Sequence, residues 1–249
     1  DQAEPLVQAA DTAMYAAKRA GGDRLEIFDE SMRVSVRERI TAEARLRQAL
    51  DGDREHTLPV WFQPIVAPAT GRIVGAEALV RLRTPDGEIL PPGRFVPSAE
   101  ETGMVVPLGE HVLASALRHL QRWDAELGYV SVNVSPRQLA EPGFVPAVAR
   151  LVAESGLSDP SRLLLEITET ALLSTSMDIQ ARLTAIKSLG VRIALDDFGT
   201  GYSSLTWLKS LPADIVKLDR SFVAGLAADA RKSSIISAVL WLARSLGMS

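Results

Sequence analysis

Apolar residues recur along this chain with two periods. Strand-like runs occupy Trp61–Val66, Ile73–Val80, Tyr129–Val134, Leu163–Ile167, Arg192–Leu195 and Ile215–Leu218. Between the later runs the spacing becomes helical. Residues 108–127 place Leu108, Val112, Ala116, Leu120, Trp123 and Leu127 at steps of three and four, and Phe144–Glu154, Ile179–Leu189 and Ser204–Leu211 do so more briefly. Apolar strands alternating with helices predict parallel pairing with the helices packed outside. The first two runs are the exception. Ala67–Arg72, with Pro68 and Gly71, is too short to hold a crossover helix, so that pair should be antiparallel.

The start of the chain reads differently. Ala9–Ala20 is helix-forming, Gly21-Gly22 stops it, and Leu25–Phe28 could form one short strand. A segment of about thirty residues rarely makes its own core. Ser35–Leu50 is a second helical run, with Val36, Ile40, Ala44, Arg47 and Leu50 on one face and Asp51-Gly52-Asp53 ending it. It reads as a connector helix packing on the region C-terminal to it, the alternative being a dimerising signalling helix. The closing helix, Lys232–Leu246, ends at Gly247, after which another strand is expected.

Polar residues sit at the downstream ends of the strands, and this decides the architecture. Glu77 lies in the second run, Asn133 in the third, Glu166 and Glu169 at the fourth, Asp196 and Asp197 at the fifth, and Lys217 with Asp219 at the sixth. In α/β barrels such side chains converge on one mouth. A doubly wound sheet would spread them along an edge and carry a glycine-rich phosphate loop, and no GxGxxG or GxxxxGK[ST] occurs. The fold class expected is therefore α/β: a TIM-like barrel with an antiparallel first strand, incomplete here because about six of its eight strands are present, plus a short N-terminal helix and strand remnant.

Composition narrows the chemistry. The 249 residues are 47% hydrophobic and 23% charged with no cysteine, which excludes disorder, a disulfide scaffold, thiolate metal sites and a cysteine nucleophile. Cysteine absence fits a reducing, cytoplasmic setting, and a net charge of −4 argues against polynucleotide partners. The longest apolar stretch, Ile235–Ala243, falls short of the roughly 20 residues that span a bilayer. The chain opens at Asp1 without a methionine and reads as a piece of something longer, with room for an upstream sensor or anchor.

Two like charges about 4 Å apart repel by roughly 4 kcal/mol at an effective dielectric near 20. Glu77, Glu166, Asp196 and Asp197 facing one another would thus take up protons or need cations, and Lys217 alone cannot neutralise them. Oxygen ligands without nearby His or Cys point to Mg²⁺ or Mn²⁺ before Zn²⁺. Structural pairing of these acids with Arg81 or Arg192 is the alternative. Paired metals among carboxylates suit displacement at phosphorus. Asp196 and Asp197 are neighbours that would point to opposite faces of a strand, so the chain must turn there if both serve one site. The following Phe198-Gly199-Thr200-Gly201-Tyr202-Ser203-Ser204 could cover a ligand or simply form a tight connection. Lys217 could hold a water or stabilise phosphate charge, and Arg81, on the Glu77 face by period two, could grip phosphate. His56, His111 and His119 read as solvated or packed, and Trp123, Trp207 and Trp241 as core.

The ordered segments Gln63-Pro64-Ile65, EALVR from Glu77, SVNVS, LEITE, DDFGTGYSSL and KLDRSF closely resemble an EAL domain, a cyclic di-GMP phosphodiesterase, over about Val60 to Ser249. DTAMYAAKRAGGDR, from Asp11, resembles the tail of a GGDEF (diguanylate cyclase) domain without the cyclase signature. The resemblance implies domains at 1–30 (GGDEF-like remnant), 31–57 (connector) and 58–249 (EAL-like). It implies hydrolysis of cyclic di-GMP to linear pGpG with Mg²⁺ or Mn²⁺, two ions being expected. Glu77, Asn133, Glu166 and Asp196 would be metal ligands, with Asp197 holding the second metal or the water. Lys217 would assist the attacking water, Glu169 brace the loop after the fifth strand, and Gln63 and Arg81 contact ligand. Partners implied are cyclic di-GMP, upstream GGDEF or sensor domains, and a homodimer as an open alternative. The family also places a glutamate ligand on a seventh strand and a glutamine segment on the eighth; these residues do not include them, so hydrolysis is expected of the parent protein. Rival readings are a non-catalytic cyclic di-GMP receptor and an aldolase-like barrel using Lys217 as a Schiff-base amine, against which a wall of acids should raise that lysine's pKa.

Overall fold

A computed structural model describes residues 3–19, 23–52, 56–123, 127–169, 171, 177–199, 211–223 and 230–249. They form two compact units, one comprising 1–58 with 81–102 and the other 59–80 with 103–249. No helix among the described residues is long and apolar enough to cross a membrane.

The first unit holds α1 (Ala3–Arg19), α2 (Glu30–Leu50), the short strands β3 (Leu82–Arg83) and β4 (Ile89–Leu90), and α3 (Val96–Thr102). Asp29 caps α2 by accepting hydrogen bonds from the Ser31 and Met32 amides. The buried face of α2 is not the one its apolar spacing suggested. Ala42 and Leu46 are buried while Ile40 is exposed. Arg39 turns inward because its guanidinium donates to Ser98 Oγ at 3.1 Å and pairs with Glu101 on α3. Arg94–Glu38 and Arg45–Glu88 add ion pairs along the same helix. The strand expected at Leu25–Phe28 does not form: 25–29 is irregular, and Leu25 and Ile27 are exposed, with no partner strand beside them among the described residues.

The second unit is built on a six-stranded sheet ordered β1-β2-β5-β6-β7-β8. Its strands are β1 (Val60–Val66), β2 (Ile73–Val80), β5 (Tyr129–Val134), β6 (Leu163–Thr168), β7 (Arg192–Phe198) and β8 (Ile215–Leu218). β1 and β2 are antiparallel, and every later pair is parallel. The tight turn between β1 and β2 closes with the Ala67 amide on Arg72 O and Gly71 at φ 68°. The sheet curls as a half-barrel, the α/β fold expected.

The helices α4 (Val105–Arg122), α5 (Pro136–Ala140), α6 (Phe144–Ser155), α7 (Met177–Ser188), α8 (Arg220–Val223) and α9 (Ala230–Ser245) lie in the same unit. Beyond α9, Ser249 exchanges backbone hydrogen bonds with Asp214 and Val216, both 2.9 Å, alongside β8. The strand expected after Gly247 is not assigned among the described residues; only this pairing of Ser249 is present. α4 buries Leu108, Val112, Ala116 and Leu120 on one stripe, as its spacing predicted. Ser135 opens α5 with a reciprocal capping box to Gln138. Leu163, Leu165 and Ile167 are fully buried, so truncating one of these leucines to alanine would cost about 2–5 kcal/mol. His119 and Trp123 pack on Phe62, with ring centroids 4.5 and 4.8 Å away. Trp241, expected in the core, is instead exposed on α9. Trp207, residues 204–210 of the expected helical run and most of the 198–204 loop lie outside the described residues.

The Phe62 contacts fix which strand faces point inward. Phe62 meets α4 on the outside, so by alternation Trp61, Gln63 and Ile65 face the concave side. Opposite them stand Leu79, Glu77 and Gly75. At the lower end of this concave side the Tyr129 ring fills the space: a Cβ on Gly75 would lie 2.9 Å from it. Arg192 stacks on that ring at 5.0 Å and donates to Ser161 O.

Candidate active site

Register places the chemistry. Gln63 stands opposite Glu77, Glu77 opposite Ser131, Asn133 opposite Glu166, and Thr168 opposite Asp196. Parallel strands carry these residues to their carboxyl ends, and the antiparallel β1 brings its amino-terminal half to the same rim. The side chains meet there. Asn133 Nδ2 donates to Glu77 Oε1 at 2.7 Å. Lys217 Nζ lies 2.7 Å from Glu166, 3.3 Å from Asp196 and 4.0 Å from Glu77.

One ammonium therefore serves three carboxylates. Burial pushes the Glu166 carboxyl above the usual range, and Lys217 only partly opposes this. For Lys217, burial alone would favour the neutral amine, yet Glu166, Asp196 and Glu77 together hold it above an ordinary lysine. That direction disfavours the Schiff-base reading, which needs a neutral amine. Arg192, offered as a structural partner for the acids, instead lies on Tyr129.

Asp196 and Asp197 separate as their adjacency required. Asp197 has φ 53°, a left-handed conformation, and the β7–β8 register shifts between Leu195 and Phe198. Strain of this kind at a non-glycine residue concentrates at functional sites. Partial burial raises the Asp197 carboxyl, with Asp196 and Asp219 adding to the effect and Lys217 opposing it. The next turn is held from two sides. Gly199, at φ 97°, donates its amide to the buried Glu169 carboxylate at 2.9 Å, and a Cβ there would stand 2.8 Å from the Phe222 ring.

The structure thus gathers Glu77, Asn133, Glu166, Asp196 and Lys217, sets Asp197 at the adjoining turn, and puts Glu169 beneath that turn. Gln63 is exposed on the inner face beside Glu77. Arg81 corrects its expectation: β2 ends at Val80, so period-two alignment with Glu77 does not extend to it, and it belongs to the first unit. Sequence reasoning missed Ser131, buried on the inner face below Asn133; its hydroxyl approaches Glu166 without reaching hydrogen-bond geometry. Its position two residues before Asn133 was the available signal.

The donor set suits a hard divalent ion in kind, being oxygen throughout, and Glu166 Oε1 is buried without a hydrogen-bond partner. Among the described residues no three His, Asp or Glu side chains form a ready cage by themselves. The Lys217 ammonium stands between the acids instead.

The family described as "EAL domain" matches residues 43–249. An uncharacterized signaling protein of Caulobacter vibrioides is 43% identical over 98% of this chain and 30% of its own length. The bifunctional diguanylate cyclase/cyclic di-GMP phosphodiesterase MucR of Pseudomonas aeruginosa is 38% identical over 96% of this chain and 35% of its own length. This chain therefore spans about a third of the curated relatives it matches. The solved PaMucR phosphodiesterase in complex with c-di-GMP superposes with a TM-score of 0.74 at 39% identity, covering 84% of each chain. A solved EAL domain protein of Listeria monocytogenes gives 0.71 at 33% identity, covering 84% of this chain and 80% of its own. By family match, sequence and fold together, this chain belongs to the EAL domain family.

Proposed function

We propose that this domain hydrolyses cyclic di-GMP to linear pGpG. The observation that carries the reading is the convergence of Glu77, Glu166 and Asp196 on the Lys217 ammonium, with Asn133 bonded to Glu77, at the rim of the half-barrel. MucR, its relative, is a cyclic di-GMP phosphodiesterase and was solved with that ligand.

In this reading Glu77, Asn133, Glu166, Asp196 and Asp197 would hold Mg²⁺ or Mn²⁺, which supplies polarisation of the phosphoryl oxygens and acidifies a water. The chain's own groups do the rest. Lys217, kept protonated by its acids, places positive charge beside the phosphate oxygens as charge builds there. Asp197, at the left-handed turn beside the acids, helps hold the second ion or orients the attacking water. Water oxygen bonds to phosphorus, one ester P–O bond breaks, and the proton ends on the departing ribose oxygen. Glu169 holds the Gly199 amide and so keeps the Asp197 turn in place, while Gln63 contacts ligand. We read 1–30 as a GGDEF-like tail and 31–57 as a connector, with the domain in the cytoplasm.

The test is incubation of the intact protein with cyclic di-GMP and Mg²⁺ or Mn²⁺, followed by chromatography. Linear pGpG that disappears with EDTA is expected. Ligand binding that survives EDTA with no pGpG formed would move the protein to the receptor class, and an intact protein that neither binds nor cuts the ligand ends the reading.

A further inference from the structure

Gly109 lies inside α4, where a glycine is less favourable than an alanine, and it is buried beside Leu108 and Val112. What it permits is a close approach. A Cβ at this position would overlap the Gln138 carboxamide, which rests on the α4 backbone there. Gln138 is itself only 4% exposed. Its Oε1 accepts the Ser135 amide at 3.2 Å, and its own amide donates to Ser135 Oγ at 3.2 Å.

Ser135 is the second residue after Asn133, and there the chain turns from β5 into α5. The β2–β5 pairing ends at Ala78–Val132, so the ladder holds Asn133 and Val134 on the β6 side alone, opposite Glu166 and Ile167. The Asn133 side chain nevertheless reaches the other way and donates to Glu77 on β2. The β2 ladder stops short of that reach. The capping box ties down the backbone just beyond it, with α4 behind. Arg182 of α7 holds the far end of the same short helix, donating to Leu139 O at 2.7 Å.

We propose that Gln138, seated on Gly109, is a positioning residue for Asn133: it fixes the start of α5 and so holds the Asn133 carboxamide against Glu77 at the rim. This rests on the reading of Asn133 as a metal ligand and deepens it by naming what sets that ligand in place. A methyl at 109 would meet the far end of a flexible side chain. Gln138 can swing away from it, and in doing so it releases the Ser135 amide. Gly109→Ala and Gln138→Ala are therefore one lesion reached from two helices.

The experiment measures the Mn²⁺ affinity of the intact protein from the EPR signal of the free ion, beside the thermal midpoint of each variant. Gln138→Ala and Gly109→Ala should each weaken Mn²⁺ binding about tenfold, the low end of what outer partners of a metal ligand contribute. The double variant should bind no more weakly than Gln138→Ala, because the shortened side chain leaves room for the methyl. Gln138→Glu keeps the accepting oxygen of the capping box and should stay within about threefold of wild type. Wild-type affinity in Gln138→Ala, whatever its thermal midpoint, overturns the positioning role and leaves the hydrolysis reading standing. So do losses that multiply in the double variant, or a Gln138→Glu protein as weak as Gln138→Ala. A wild type that binds no Mn²⁺ overturns the metal-ligand reading and the positioning role with it. Should Gly109→Ala fail to fold, the two Gln138 variants decide.

Discussion

The two ends of the half-barrel use the same strands and the same inward faces, yet treat charge in opposite ways. At the floor the charged side chains are engaged by neighbours, with Arg162 Nε left without a hydrogen-bond partner. Arg192 donates to Ser161 O and lies on Tyr129, Arg162 donates to Leu127 O, and Asp214 pairs with Lys187 while accepting the Ile193 amide. At the rim Glu166, Asp196 and Glu77 share Lys217, one oxygen of the buried Glu166 is left over, and Asp197 is held left-handed. A matched set of charges stabilises a fold. An oversubscribed set stores unmet demand for positive charge, which a divalent cation can answer.

If that contrast is right, substitutions at the two ends should separate activity from stability. Glu166→Gln keeps the shape but removes a donor charge, and should lower kcat about 10³-fold while moving the thermal midpoint by only a few degrees. A kcat within tenfold of wild type would place the chemistry elsewhere. Glu169→Gln weakens a charge-assisted bond to the Gly199 amide, worth about 1.5–3 kcal/mol, so kcat should fall by about tenfold to a hundredfold. An unchanged KM would mark this as misplacement of the turn rather than loss of ligand contact.

The floor should answer the other way. Gly75→Ala drives a methyl against the Tyr129 ring and should cost about 1–3 kcal/mol in urea unfolding, with kcat within about twofold of wild type. A large loss of turnover in a folded Gly75→Ala protein would erase the distinction between the two ends.

The smallest effect concerns pH. Lys217 is raised in the folded state, so its contribution to stability is fully present below the ordinary value of 10.5 and is lost as pH climbs through the higher folded value. Midpoints compared between wild type and Lys217→Met at alkaline pH should therefore converge above that value. Parallel curves would show that the ammonium is not held by its acids.

Much of this site was legible from residue order alone. Polar residues ending successive apolar runs can only meet if those strands are parallel neighbours, and the short Ala67–Arg72 link could only make β1 antiparallel. Adjacent Asp196 and Asp197 likewise demanded a turn, and the left-handed Asp197 supplies it. Other features were hidden. The buried face of α2 was misassigned because Arg39, charged and therefore read as outward, buries its stem to reach Ser98 and Glu101. Trp241 falls on a helix with apolar neighbours, and spacing says which residues share a face, not whether anything covers it.

The sequence by itself determined the alternation of strands and helices, the antiparallel start, the family and the polar residues that end the strands, because local periodicity and ordered motifs are properties of neighbours along the chain. Only the tertiary structure decided that Lys217 stands among three acids, that the Tyr129 ring closes the floor, that Glu169 holds the Gly199 amide, and that 81–102 folds with the first 58 residues. Those are distances between residues far apart in the chain. They are set by strand register and side-chain packing, which no local pattern encodes.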